Sequence, residues 1–523
     1  MKKLLTAVLL MLSVPGFGAT YYLDANSGND QGDGKGESSA WKTLKQASQM
    51  AYQAGDQLLL KKGGHFEGAL VLKAKGSEGK PVMIGAYGEG ADPIVDAKDA
   101  QAALIIDNSS YVEVSNLEIV ADGKGAFFGI DVITPKDAEN THIYFRNLYI
   151  HDIFSDPKGV NRKGTKEQDA NNLGMGIHVA PEGKLSDIVV ENCRIERTSF
   201  KGMFFRGPAA TTPIENIRVL NNKLINIGGP GIQPSIVKNM IVRGNVVDHS
   251  GASVESRQYG RGSGIWPWGS ENVLIENNKF MHARGIADSC GAHIDFNCRN
   301  VLVQRNLSLD NEGGFVEILG NDWNCCYRYN VSINDGARIK GKNNANMDGK
   351  VLWLSGFVGK TGKANGPYNS YIYNNTVYGK KDIHAAVVIA KTAKGALFAN
   401  NIFYLLGPVK KSWDDQTSKP ASASTAPSIS QNVIFNNNLY QRLDPLWPKD
   451  LNAMVADPGF KNAGGEDPDD YIPANKEAIQ DKGIEIEKLT GDEIGLTAGL
   501  KVTEDFFGNP IAGKPDLGAI ELK

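Results

Sequence analysis

Met240-Ile-Val-Arg-Gly-Asn245, Val273-Leu-Ile-Glu-Asn-Asn278, Val301-Leu-Val-Gln-Arg-Asn306 and Cys325-Cys-Tyr-Arg-Tyr-Asn330 repeat one phrase, a short β-forming run closed by asparagine. The same phrase reads earlier as Tyr111-Val-Glu-Val-Ser-Asn116, Ile143-Tyr-Phe-Arg-Asn147, Ile188-Val-Val-Glu-Asn192 and Ile217-Arg-Val-Leu-Asn-Asn222. Three later copies end at Asn375, Asn401 and Asn438, which makes eleven in all, spaced 23 to 45 residues apart. A period in that range marks a solenoid, whose coils each bury a face only by stacking on their neighbours. Each coil reads as three short strands: the run before the asparagine, the apolar triplet after it, and a third run opening with Gly or Ala. Asparagines at equivalent corners can stack along the axis and satisfy backbone groups at the turn. Their role is therefore structural.

Working outward, residues 101–440 form the solenoid of about eleven coils, an all-β parallel β-helix. Residues 20–100 are expected to cap its start, with Tyr21-Tyr-Leu-Asp24 as a strand and Ser38–Tyr52 as an amphipathic helix carrying Trp41, Leu44, Ala47 and Ala51 on one face. Residues 441–523 are expected to cover the other end. Polar insertions interrupt the coils at 154–174, 252–262, 340–350 and 359–369, and the Ser/Pro/Ala/Thr-rich stretch 412–430 reads as a loop.

The N-terminus pairs Lys2-Lys3 with an apolar run from Leu4 to Val14 and small residues up to Ala19. That pattern reads as a secretory signal, too short to span a bilayer, so the mature chain is expected in the periplasm or medium of a Gram-negative bacterium. A net charge of -3 gives no case for nucleic acid as a partner. The five cysteines show no zinc-type spacing and read as buried free thiols, although Cys290 and Cys298 could bridge. Rossmann glycines, P-loops and nucleophile elbows are absent from the sequence.

Aligning the third strands by their apolar residues yields an outward column: Asp131, His178, Phe204, Gln233, Trp266, then Asp295, Glu317 and Trp353. In this alignment Asp295 and Glu317, 22 residues apart, lie directly opposite on adjacent strands and face solvent. Like charges so placed repel, which gives no structural motive for the pair. Partial shielding would raise one pKa and leave a carboxylate beside a carboxylic acid, the combination that glycoside cleavage requires. Asp288, at the turn entering the Asp295 strand, is a rival or helper for the acid role. Trp266 and Trp353 read as flat platforms for sugar rings, with His178, Gln233, His293 and Arg338 as further substrate contacts and no metal in the set.

The segment Gly262–Gly336 resembles right-handed parallel β-helix glycoside hydrolases. Its Asp-x6-Asp element, Asp288 to Asp295, is similar to that of the β-helical lacto-N-biosidases. That resemblance implies Asp295 as nucleophile and Asp288 as acid/base. The Asp295–Glu317 spacing is similar to that of the β-helical β-xylosidases, which implies Asp295 as nucleophile with Glu317 as acid/base. The ends of the chain, Tyr21-Tyr-Leu-Asp24 with Ala40-Trp-Lys-Thr-Leu44 and Gly513-Lys-Pro-Asp-Leu-Gly-Ala-Ile-Glu521, resemble those of exported bacterial β-helix carbohydrate enzymes. The expected function is an exported retaining glycoside hydrolase acting on an oligo- or polysaccharide, anionic in one variant, without a cofactor.

The rival is a polysaccharide lyase using a Lys or Arg base, with calcium as its cofactor. Arg338, Lys340, Lys342, Arg257, Arg261 and Arg284, and Lys158, Arg162, Lys163 and Lys166 in the first insertion, supply candidates. A non-catalytic adhesin or tail-fibre segment is the third class. Two tryptophans, a histidine and stacked acids in the outward column argue against it.

Overall fold

The computed structural model describes residues 18–123, 127–154, 174–251, 261–384, 386–416 and 432–522. The leader reading, the basic residues of the 154–174 insertion and Arg257 lie outside them. Every ladder between strands among the described residues is parallel, and consecutive strands up to Leu439–Tyr440 fall in different sheets, as a β-helix requires. Two faces are continuous fourteen-stranded sheets, one from Thr20–Leu23 to Val433–Asn436, the other from His65–Glu67 to Met454–Val455. The third face carries the chemistry. It runs as seven strands from Ala51–Gln53 to Ile232–Ser235 and resumes as three, Gly314–Ile318, Lys350–Leu354 and Ala386–Ile389. Between them, among the described residues, only isolated bridges remain, including Ile232↔Ile265, Ile265↔Ala292 and Ile294↔Ile318. Pro234 and Pro267 have no N–H to give there, so the ladder thins where side chains gather.

Inward residues of all three faces, from Leu23 and Leu58 to Phe398 and Phe435, fuse into one axial core. Close stacking also demands small residues at the turn into the third face. A Cβ on Gly264 would lie 2.6 Å from the carbonyl oxygen of Gly291 on the next rung. All five cysteines are buried and free, as read from the sequence.

The asparagine ladder is real but shorter than the repeat suggested. It starts at Asn222, whose side chain also accepts from the Cys193 N–H, and runs through Asn245, Asn278, Asn306, Asn330, Asn375 and Asn401 to Asn438. Each Oδ1 takes the backbone N–H of the previous rung at 2.8–3.1 Å. Asp450 closes it by accepting from Asn438 Nδ2. Asn116, Asn147 and Asn192 instead occupy the exposed corner position just before, with φ of 53–56°. Asparagine tolerates that left-handed geometry. Leu117, Leu148 and Cys193 take the inward place.

Both ends differ from expectation. The coils begin at Thr20, because the first strands already pair in the long sheet, and the expected helix shrinks to Leu44–Ala47. Trp41 bridges to Leu23 and Tyr52 joins a strand, so burying these rings on the first coil outweighs continuing the helix. The tail after Asp457 lies along the flank of the solenoid. Asp492 takes hydrogen bonds from Asn324 and the Tyr371 hydroxyl, Arg328 donates to Gly499 O, and Ala519 N–H donates to Thr376. Polar side chains of the coils, buried beneath the tail, hold it there.

Candidate active site

The outward column exists, with a register different from the apolar alignment. Ladder pairs join Asp131 to His178, His178 to Phe204 and Phe204 to Gln233. The three bridges then set Trp266 beside Gln233, His293 beside Trp266, and Glu317 beside His293. Glu317 in turn pairs with Trp353. Asp295 therefore stands two residues along its strand from His293, diagonal to Glu317 and not opposite it. Ile294 points inward between them and is fully buried. The faces are as expected; the neighbours are shifted by one pleat repeat.

Exposure also departs from expectation: Asp288 is 3%, Asp295 6% and Glu317 2% exposed. A second layer covers the column. Gln416 Nε2 donates to Asp288 Oδ1 at 3.4 Å, Arg261 Nη1 to Asp288 Oδ2 at 3.1 Å, and Asp414 and Asp415 tie the same segment to Trp353 and Lys350.

Each carboxyl has a distinct setting. Asp295 Oδ1 accepts the Phe296 N–H at 2.9 Å and Oδ2 the Trp266 indole N–H at 2.5 Å. Both partners only donate, so they favour the carboxylate, while burial pushes Asp295 up to about 7. Glu317 Oε2 accepts the Cys290 thiol at 3.1 Å. Burial first, and then the charge on Asp288, lift Glu317 to about 8, so it holds a proton at neutral pH. Burial works against the Asp288 charge as well, but the guanidinium of Arg261 and that of Arg338 outweigh it and hold Asp288 below the usual carboxylate range. Ligating atoms of Asp288, His293 and Glu317 lie within 4.8 Å of one another. Two carboxyls this close act as a pair, one charged and one protonated.

His293 lies between the Trp266 ring, stacked at 5.3 Å, and Glu317, with Nε2 3.7 Å from Oε1. Burial depresses it to about 4, so the imidazole is neutral near pH 7. Neither ring nitrogen, nor Glu317 Oε1, has a hydrogen-bond partner. Gln233 Oε1 is likewise unpartnered on the rung beyond Trp266. His178 sits further along, held to Asp131 at 2.8 Å and stacked on Phe128 at 4.2 Å.

Two expected substrate contacts prove structural. Trp353 is 2% exposed, packed with Ala287, Met347, Ala386 and Val388, and its indole donates to Asp414 at 3.2 Å. It offers no open face to a sugar. Arg338 spends its guanidinium on the carbonyls of Met347, Gly285 and Ala287, which pins the turn carrying Asp288. Sequence reading missed Cys290 as a partner of Glu317, Lys350 beside Trp353, and Asp414 to Gln416 within a stretch taken for a loop. The paired acids Asp414-Asp415 in a run otherwise charged at Lys419 alone were the available signal.

Four likenesses to known proteins stand beside this geometry. Residues 96–280 match a family model described as a right handed beta helix region. The chain is 23% identical, over 96% of its length, to a lacto-N-biosidase of Bifidobacterium longum subsp. longum, and spans about a third of that relative, 36%. Among solved structures it is similar to the GH136 lacto-N-biosidase of Eubacterium ramulus, at 22% identity and TM-score 0.53, covering 72% of this chain and 66% of that one. It is also similar to XylC solved with xylose, at 12% identity and TM-score 0.52, covering 96% and 98%. The structural likenesses bear on the fold: a right-handed parallel β-helix. Among the described residues no helix is long and apolar enough to cross a membrane.

Proposed function

We propose that this chain is an exported glycoside hydrolase that cleaves its sugar with retention of configuration. The observation that carries this reading is the division of labour among three buried carboxyls. Asp295 is held by two pure donors as an acceptor, while Glu317 and Asp288 together keep one proton beside it. Asp295 attacks the anomeric carbon as the glycosidic bond breaks, and the leaving oxygen takes the proton of the Asp288–Glu317 pair. Water then attacks the glycosyl ester, giving its proton back to that pair and releasing Asp295. In the ligand-free protein the proton resides on Glu317, which makes Glu317 the donor and Asp288 the charge that keeps it protonated. His293, Trp266 and Gln233 present polar edges and ring surface to the sugar. Burial of all three carboxyls fits attack at a chain end. The resemblance to lacto-N-biosidases, in sequence across nearly the whole chain, supports a carbohydrate substrate.

An elimination mechanism is less well supported. The basic groups nearest the cluster are engaged: Arg261 by Asp288, Arg338 by three carbonyls, and Lys350 by Asp415 at 3.0 Å. A screen of neutral and acidic oligosaccharides, read by product mass, separates the readings, since hydrolysis adds a water and elimination adds none. Asp295→Ala should abolish turnover, and azide should restore it as a glycosyl azide of inverted configuration. Unsaturated products, or wild-type turnover in Asp295→Ala, would overturn the reading.

A further inference from the structure

The orphaned polar atoms at the centre of the column suit a second ligand besides a sugar. His293 is 1% exposed, yet both ring nitrogens lack partners, and the facing Glu317 Oε1 lacks one too. Buried polar atoms without partners are rare in folded proteins. Here an unpartnered ring nitrogen, Nε2, stands 3.7 Å from the unpartnered Glu317 Oε1, where ligating atoms of Asp288, His293 and Glu317 lie within 4.8 Å of one another. We propose that Asp288, His293 and Glu317 form a binding site for one borderline divalent cation of the zinc type.

The donor set selects the ion. One neutral imidazole and two carboxylate oxygens suit Zn2+ or Co2+, and a three-ligand site with an open fourth position is an ordinary arrangement for zinc. Calcium wants six to eight oxygens and magnesium an octahedral shell of oxygens, whereas the ligating atoms here come from one imidazole and two carboxylates. Ligating carboxylates and imidazoles also need orienting groups. Asp288 has Arg261 and Gln416, Glu317 has the Cys290 thiol, and the His293 ring is set by its 11° stack on Trp266. A second cluster, Asp248, His249 and His282, lies on the surface. There one Asp248 oxygen already takes both imidazoles at 2.7 Å, and the cluster is partly open to solvent. That cluster carries no proposal and serves as the control.

An ion in the buried site occupies the oxygens that hold the catalytic proton. Ion binding and hydrolysis are therefore mutually exclusive, and zinc acts as an inhibitor that a chelator removes. Binding itself does not depend on the hydrolase reading. The full-length chain, stripped with EDTA, would be titrated with ZnCl2 by calorimetry, and with Co2+ by visible absorption. The expected result is one ion per chain, with affinity reduced on the order of 100-fold in His293→Ala and unchanged in His282→Ala. X-ray absorption of the zinc-loaded wild type should report a single imidazole, which keeps the test sharp if the His293 variant fails to fold. Absence of binding up to millimolar zinc, two or more imidazoles on the metal, or loss of binding in His282→Ala would each overturn the proposal. Failure to find any hydrolysed sugar would leave the binding result standing, so the two readings fail separately.

Discussion

Replacing Trp266 with Phe removes one atom group that matters, the indole N–H on Asp295 Oδ2, and keeps an aromatic ring against His293. A hydrogen bond to a charged acceptor is worth about 1.5–3 kcal/mol, and one pKa unit is about 1.4 kcal/mol. Asp295, at about 7 in the intact protein, should therefore rise by about one to two units. Productive enzyme needs Asp295 ionised while Glu317, at about 8, is protonated. In the wild type these values bracket a narrow bell for kcat/KM centred between them. In Trp266→Phe the nucleophile's value meets or passes the acid's, so the correctly protonated fraction shrinks. Two-site titration gives a loss of about two- to tenfold at the optimum and about 10- to 100-fold near pH 6. Initial rates of sugar release from about pH 5 to about pH 9.5, with thermal unfolding as a fold control, read the effect. An acidic limb that stays put while kcat/KM falls equally at every pH would refute the reasoning, because the indole would then act on the substrate and not on Asp295.

Stability should fall as pH rises from about 6.5 to about 8.5. Asp295 and Asp335, at about 7, and Glu317, at about 8, all sit above their unfolded values, so the folded chain holds protons there that the unfolded chain has lost. That contribution is complete below the unfolded values and disappears as pH climbs through the folded ones. His293, at about 4, acts in the opposite sense only below its unfolded value of 6.5. Calorimetric Tm across that window should decline, with a shallower slope in Asp335→Asn; a rising Tm contradicts the assignments. Asn306→Ala deletes three side-chain donations, to Ile275 O, Gln304 O and Asn330 Oδ1, and orphans the Asn278 N–H. It should cost about 2–4 kcal/mol in denaturant unfolding, and a loss under about 0.5 kcal/mol would mean the ladder does not hold the corner. Lys350→Met removes the buried ammonium that lies over the Trp353 ring and leaves Asp415 to Lys340 alone, and should cost about 1–3 kcal/mol, with partial recovery in Lys350→Met/Asp415→Leu. Equal stability of the single and double variants would show that the pair is not coupled.

How much of this was legible depended on range. The β-helix is written in local terms, a β-forming run and a corner residue per coil, so its existence survives any misplacement of individual corners. Asn116, Asn147 and Asn192 were misassigned because asparagine suits two adjacent positions for two reasons. One is an exposed left-handed corner, the other a buried hydrogen-bonding slot. His293, Asp295, Glu317 and Trp266 were found because pleat parity puts them on one face, and Asp288 because it lies at the turn entering the Asp295 strand. Trp353 and Arg338 were given the wrong job because parity says nothing about what lies above a face. Trp353 is tied down by Asp414, about sixty residues away, and Arg338 by the carbonyls of Gly285 and Ala287, about fifty residues away, and no local pattern announces such contacts.

Register is the instructive failure, since its signal was already in the repeat. Apolar alignment is blind to a shift of two residues, because such a shift returns every side chain to the same face. Matching Asp295 with Glu317 assumed a rung of 22 residues. The ladder measures that rung independently: Asn306 bonds to Asn330, Asn311 to Asp335, the Cys298 N–H to Asp322, and Asn321 to Asn297, each 24 residues apart. A step of 24 carries Glu317 back to His293, its observed neighbour. Corner residues are the better ruler because each is locked to a single partner, whereas a core position accepts any apolar side chain of suitable size. The displacement is also what makes the site chemically useful. Opposite Glu317, Asp295 would have shared its proton; moved one pleat along, it meets the Trp266 indole instead, and the shared proton is left to Asp288 and Glu317.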